Sequence, residues 1–199
     1  MDIPQIINEM ELARQADSGM STNNGGTHLV ITGGEPLLGW QRAYPELLSK
    51  ARDAGYSQIT FETNGTQEIT DDFANYMLTE QIKSDVRYKF TFSVSPKLSC
   101  SGELSEDALK PEVVASYQKF GKVYLKFVVA KESDMIDVIY FVDRYRTAGW
   151  HGEVYLMPCG GDPEMYNMNA PEVAKLAMEY GMRYSPRLQV DLWKNEWGT

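Results

Sequence analysis

The chain has 199 residues, 43% of them hydrophobic and 24% charged, with a net charge of −9. That composition supports one domain with a substantial core. Nineteen basic residues against twenty-eight acidic ones, with no basic run, argue against direct nucleic-acid binding, and the absence of a run of about eighteen apolar residues argues against a membrane span. Residues 1–14 lack a basic start followed by an apolar core, so no secretory leader is read and the expected location is cytoplasmic. The two distant cysteines, Cys100 and Cys159, are expected to stay reduced there.

Residues 3–14 carry Ile3, Ile6, Ile7, Met10 and Ala13 at spacings of three and four, which predicts an amphipathic helix with Asp2 as cap and Pro4 in its first turn. Residues 18–26 are polar and glycine-bearing and read as a loop. Residues 28–31 read as a short strand, stopped by Gly33 and Gly34. Residues 40–54 form the next predicted helix, with Tyr44, Leu47, Leu48 and Ala51 on one side and Gly55 just past its end. A second strand, 57–62, runs into Glu-Thr-Asn-Gly at 62–65. Asn64-Gly65 alone would suggest a hairpin turn, but the flanks read as helical rather than as two alternating strands.

A helix is predicted over 70–81. Residues 88–95 alternate Phe90, Phe92 and Val94 with polar residues, which predicts a strand. It ends in Ser95-Pro96-Lys97, by itself a common surface turn. A loop over 98–105 holds Cys100. A short helix over 111–120, stopped by Gly121, leads to the clearest strand, 123–129. Then come a helix over 134–147, a strand over 154–157 with the exit turn Pro158-Cys159-Gly160-Gly161, and a helix over 170–180 with Pro171 at N1. A last strand is predicted over 187–192, before the tail that ends at Thr199.

Strand–helix alternation of this kind implies an α/β fold: an open parallel sheet with outer helices and right-handed crossovers. About six strands are too few for an eight-stranded barrel, so residues 1–199 are expected to form a single domain built as a partial barrel. Its chemistry centres on residues 30–36, Val-Ile-Thr-Gly-Gly-Glu-Pro. Gly33 and Gly34 allow backbone angles that a Cβ would forbid and let a ligand approach main-chain groups. Glu35 adds a carboxylate at the lip, and Pro36 bends the chain away. Strand ends of parallel sheets are where such folds place their ligands.

The Gly-Gly-Glu-Pro run resembles the motif of radical S-adenosylmethionine enzymes. Together with Glu-Thr-Asn-Gly at 62–65, Ser-Pro-Lys at 95–97, the turn at 157–160 and the tail 188–199, the chain is similar to the 7-carboxy-7-deazaguanine synthase family over its whole length. The resemblance implies a partial (β/α)6-type barrel and a lyase. In that family a reduced [4Fe–4S] cluster cleaves S-adenosylmethionine to a 5′-deoxyadenosyl radical. The ring of 6-carboxy-5,6,7,8-tetrahydropterin then contracts, with loss of ammonia, to 7-carboxy-7-deazaguanine. That product leads to 7-deazaguanine bases of the queuosine type in tRNA, or in DNA of some viruses.

Carried over by residue, the family pattern places Gly33, Gly34, Glu35, Glu62, Ser95, Pro96, Lys97, Met157, Pro158, Cys159 and Gly160 at the S-adenosylmethionine site. Gly34 would lie on the methionine moiety and Glu62 on the ribose hydroxyls. Thr32 and Thr199 would contact the pterin substrate. No catalytic residue is assigned in this chain. Met157 stands where many relatives carry Gln. The family's Cys-x-x-x-Cys-x-x-Cys loop, its magnesium-binding threonine and its first strand precede the helix read at 3–14, and neither Cys100 nor Cys159 matches them. The ligands of the cluster and of Mg2+ are therefore expected to be absent, and the chain alone to be inactive. Three explanations stand open: an N-terminally truncated sequence, one half of a split enzyme with an N-terminal fragment partner, or a non-catalytic remnant that binds a ligand or partner. Relatives point to a homodimer.

Overall fold

The computed structural model describes residues 2–16, 27–83, 89–98 and 109–196. The expectations for Cys100 and Thr199 lie outside these residues. Six strands form one sheet in chain order: β1 (Thr27–Ile31), β2 (Tyr56–Thr63), β3 (Lys89–Val94), β4 (Lys122–Val129), β5 (Val154–Pro158) and β6 (Arg183–Tyr184). The sheet is open and all parallel, as crossover connections require. The helices that flank it are α1 (Ile3–Ala16), α2 (Tyr44–Asp53), α3 (Asp71–Lys83), α4 (Pro111–Tyr117), α5 (Met135–Thr147), α6 (Pro163–Glu179) and α7 (Leu188–Trp193). Among the described residues β1 is an edge strand, paired with β2 alone.

By contacts the chain divides into two compact units. The first holds Met1–Thr63, Gln67–Phe92 and Lys119–Lys122. Its β1 and β2 run in parallel register from His28↔Gln58 to Ile31↔Phe61. Side chains alternate across a strand, and on β2 one row carries Ile59 and Phe61, both fully buried. The Phe61 ring meets Tyr44 of α2 at 5.3 Å, Phe73 of α3 at 5.7 Å and Phe92 of β3 at 5.6 Å between centroids. Each buried ring contributes roughly 1.5–3 kcal/mol. The opposite row of β2 carries Gln58, Thr60 and Glu62, with Thr60 buried and its hydroxyl 2.7 Å from His28 Nε2. Helix α1 is tied to this unit by Arg14, which donates to the Ala54 carbonyl at 2.7 Å and lies over the Tyr56 ring.

The second unit holds Asn64–Thr66, Ser93–Gln118 and Val123–Thr199. In it β4 pairs with β5 from Leu125↔Val154 to Val129↔Pro158, and β5 pairs with β6 at Tyr155↔Arg183. Leu125, Phe127 and Val129 are fully buried, and Phe127 stacks on Phe141 of α5. Trp150 is buried against Tyr145, with its indole N–H on the Val123 carbonyl.

Two elements differ from expectation. Residues 187–192, predicted as a strand, form helix α7, and the sixth strand is the two-residue β6. Leu188, Val190 and Leu192 imitate a strand's alternation, yet only Val190 is buried, at 2%, while Leu188 and Leu192 are 59% and 62% exposed. The helix closes on two left-handed residues, Lys194 (φ 55°) and Asn195 (φ 63°). The helix predicted from residue 170 starts instead at Pro163, because Asp162 caps it by accepting from Met165 N at 2.9 Å. Pro171 therefore sits inside α6 rather than at its first position.

Candidate functional site

In the first unit the turn after β1 is held from three directions. Gly33 has φ +139°, a backbone angle that favours glycine, and no atom approaches within 4 Å of where a Cβ would sit on Gly33 or Gly34. The Glu35 carboxylate does not stand open at the lip. Its Oε1 accepts from Leu37 N at 3.0 Å and from Thr63 Oγ1 at 2.7 Å. Tyr44 donates its hydroxyl to the Pro36 carbonyl. Burial, and secondarily the negative charge of Glu35, push the Tyr44 phenol up to about 12.

Gln41, missed in the sequence, is buried with its amide fully engaged. It donates to the carbonyls of Leu37 (2.9 Å) and Glu68 (2.7 Å) and accepts from Thr70 N (2.8 Å). It links the chain after the turn to the start of α3. Thr32, Gly33, Gly34 and Glu35 line one cavity of about 480 Å³, walled by Ile3, Ile6 and Trp40. Thr32 follows Ile31 and Glu62 follows Phe61, the last pair of the β1–β2 register.

In the second unit Ser95, Pro96 and Lys97 line a cavity of about 380 Å³ together with Cys159, Asp134 and Arg187. The Ser95 hydroxyl donates to the Lys126 carbonyl at 3.0 Å. Asp134 is buried, and its Oδ2 accepts from Ala130 N (2.8 Å) and Lys131 N (3.2 Å) at the end of β4. With Asp134 so occupied, Lys97, Lys131 and Arg187 give the cavity a cationic lining, unlike the acidic chain as a whole. In the sequence Asp134 is only the first residue of the predicted helix 134–147, and Arg187 carries no cue, since it falls within the mispredicted strand. Met157 and Pro158 lie at the end of β5, and Gly160 follows them; these three are not in the cavity's lining.

The groups implied by the family resemblance fare differently against these residues. Gly33 and Gly34 expose main chain with no side chain in the way, which suits a ligand that binds main-chain groups, as the methionyl end of S-adenosylmethionine would. The [4Fe–4S] cluster does not fit. The sequence has two cysteines, Cys159 is a free thiol, and among the described residues no three His, Cys, Asp or Glu side chains gather as a metal site.

Parallel strands whose carboxyl ends carry a glycine turn, an acid and a Ser-Pro-Lys run define an α/β protein of the kind that binds ligands at its strand ends. The chain is 32% identical over 171 residues to the 7-carboxy-7-deazaguanine synthase of Pyrobaculum aerophilum, covering 86% of this chain and 67% of that protein. It is 33% identical over 204 aligned positions to the 7-carboxy-7-deazaguanine synthase of Halobacterium salinarum, covering 98% of this chain and 72% of that one. A protein of the same name from Rhodopirellula baltica is 26% identical over 176 residues. No family model matches the chain, and no solved structure matches it significantly. The chain belongs to the 7-carboxy-7-deazaguanine synthase family.

Proposed function

We propose that this chain serves the S-adenosylmethionine-dependent ring contraction of 6-carboxy-5,6,7,8-tetrahydropterin to 7-carboxy-7-deazaguanine, a lyase step in 7-deazaguanine biosynthesis. One observation supports the reading: the relatives that match most of this chain share the name 7-carboxy-7-deazaguanine synthase. In this reading Gly33, Gly34 and Glu62 of the first unit, and Ser95, Lys97 and residues 157–160 of the second, bind S-adenosylmethionine. Glu35 holds the turn through Oε1, which accepts from Leu37 N and Thr63, and in this reading it lines the same site. Thr32 contacts the pterin.

In the family the chemistry would be supplied by a cluster that the described residues of this chain do not fit. The residues of this chain orient the cofactor and exclude water. The two-cysteine count supports a companion statement: the cluster's thiolates come from a segment or partner other than these 199 residues. The test joins the chain to a Cys-x-x-x-Cys-x-x-Cys segment of the family, loads the cluster anaerobically and follows product by mass spectrometry. Formation of 7-carboxy-7-deazaguanine is expected. A cluster-loaded protein that leaves the carboxytetrahydropterin unchanged would refute the proposal.

A further inference from the structure

The turn after β5 shows an arrangement that the family resemblance does not assign. Its three consecutive carbonyls are each taken by a side chain from elsewhere in the second unit. Asn169 of α6 donates to Cys159 O at 2.8 Å, Arg187 Nη1 to Gly160 O at 3.1 Å, and Asn195, past α7, to Gly161 O at 2.9 Å. The donors are themselves located. Arg187 N donates to the Tyr166 hydroxyl at 3.0 Å, and that hydroxyl donates to Asp191 at 3.3 Å. Asn195 is held at φ 63°, its N–H on the Gln189 carbonyl.

Each of the three carbonyls already faces a protein donor and the Cys159 N–H is on the Val129 carbonyl at 2.8 Å, which leaves the N–H groups of Gly160 and Gly161. Among the described residues no hydrogen bond runs from the N–H of Gly160 or Gly161. Gly160 is buried, and a buried N–H without a partner is costly, so native proteins seldom leave one without cause. Gly160 also cannot be replaced: its φ is +152°, and a Cβ would lie 2.6 Å from Tyr166 N.

We propose that Asn169, Arg187 and Asn195 are positioning residues. They hold the carbonyls at 159–161 to the protein so that the backbone turns its N–H groups to a ligand whose facing atoms accept hydrogen bonds. The inference rests on the reading of this turn as part of an S-adenosylmethionine site, and it makes the chain around α7 a determinant of that site's recognition.

The test uses two readouts on the full chain: backbone 15N order parameters of Gly160 and Gly161 without ligand, and calorimetry with S-adenosylmethionine. In the parent both amides are expected near the rigid limit of about 0.85. Arg187→Met keeps the side-chain stem and removes the donor. It is expected to lower both values below about 0.6 while β4 and β5 stay rigid, and to weaken S-adenosylmethionine roughly tenfold, the equivalent of one lost hydrogen bond to a structured group. Arg187→Lys, which can still reach a carbonyl with one donor, should recover most of both. Asn195→Gly tolerates the positive φ and disturbs no buried contact, so it gives the same result at Gly161 if Arg187→Met fails to fold. Unchanged order parameters in the folded variants would overturn the inference, and so would a loosened turn with unchanged affinity. A parent that binds no S-adenosylmethionine would refute the cofactor reading itself; the order parameters would then still decide whether the three side chains hold the turn.

Discussion

Thr63, the last residue of β2, donates its hydroxyl to the Glu35 carboxylate at 2.7 Å, so the end of one strand fixes the turn that follows its neighbour. Thr63 is 3% exposed and Glu35 half-buried, which makes the bond a charge-assisted one with little solvent competition. Thr63→Val preserves the shape and removes the donor. It is expected to cost about 1.5–3 kcal/mol in urea unfolding, the range for a hydrogen bond to a charged group. A loss within experimental error would show that the turn does not depend on it.

Tyr44 makes a second bond to the same turn and sets a pH limit. Its phenol, ordinarily at 10.0, is pushed up to about 12 in the folded chain by burial and then by Glu35. The folded state therefore holds this proton more tightly than the unfolded state. The associated stability is complete below pH 10 and falls as pH rises toward 12, by an amount on the order of 2–3 kcal/mol. Tyr44→Phe should be less stable than the parent at pH 8 by about 1 kcal/mol, through loss of the bond to Pro36 O. It should also show a shallower decline between pH 10 and 12. Parallel pH profiles for parent and variant would contradict this assignment.

Gly65 occupies a position that no other residue fits. Its φ is +79°, and an added Cβ would lie 2.6 Å from Val94 Cγ1 and 2.8 Å from Val114 Cγ2, both fully buried. Gly65→Ala is expected to destabilise the chain by about 2–4 kcal/mol, from overpacking and backbone strain together. Calorimetric melting of the variant checks it, and an unchanged melting temperature would contradict the packing described.

Residues 1–199 alone are expected to assemble no stoichiometric [4Fe–4S] cluster. The chain has two cysteines where the family pattern uses three, and Cys159 has no companion ligands among the described residues. Anaerobic reconstitution with iron and sulfide, followed by iron counting and an assay for 5′-deoxyadenosine, measures this. A full cluster with product from these residues alone would overturn it.

The strands were legible in the sequence because their signals are local. Alternation at Phe90, Phe92 and Val94, and the apolar run 123–129, need only neighbours to be read, and glycine and proline mark where each strand stops. The strands expected over 28–31, 57–62, 88–95, 123–129 and 154–157 appear as β1 to β5. Asn64-Gly65 forms no hairpin, because it leads into α3 rather than into a returning strand. What failed was decided by partners distant in sequence. Leu188, Val190 and Leu192 fit a strand by pattern, but the chain there follows the bond between Arg187 and Tyr166 and turns into a helix. The start of α6 was misplaced because Pro171 resembles a first-turn proline, whereas Asp162 is the residue that caps. Gln41 is an ordinary polar residue in the sequence and becomes a fixed point only when the fold brings the main chain of Glu68 and Thr70 to it.

Glu62 offers the most direct measurement of whether the strand ends bind S-adenosylmethionine. It is half-buried at the carboxyl end of β2, next to Phe61, which pairs with Ile31 of β1. Titration of the parent chain and of Glu62→Ala with S-adenosylmethionine by calorimetry compares the two directly. Binding by the parent, weakened in the variant by on the order of 1–3 kcal/mol, is the result expected for loss of a charged hydrogen-bond partner. Equal affinity in the two proteins, or no binding by the parent, would contradict the assignment of this site.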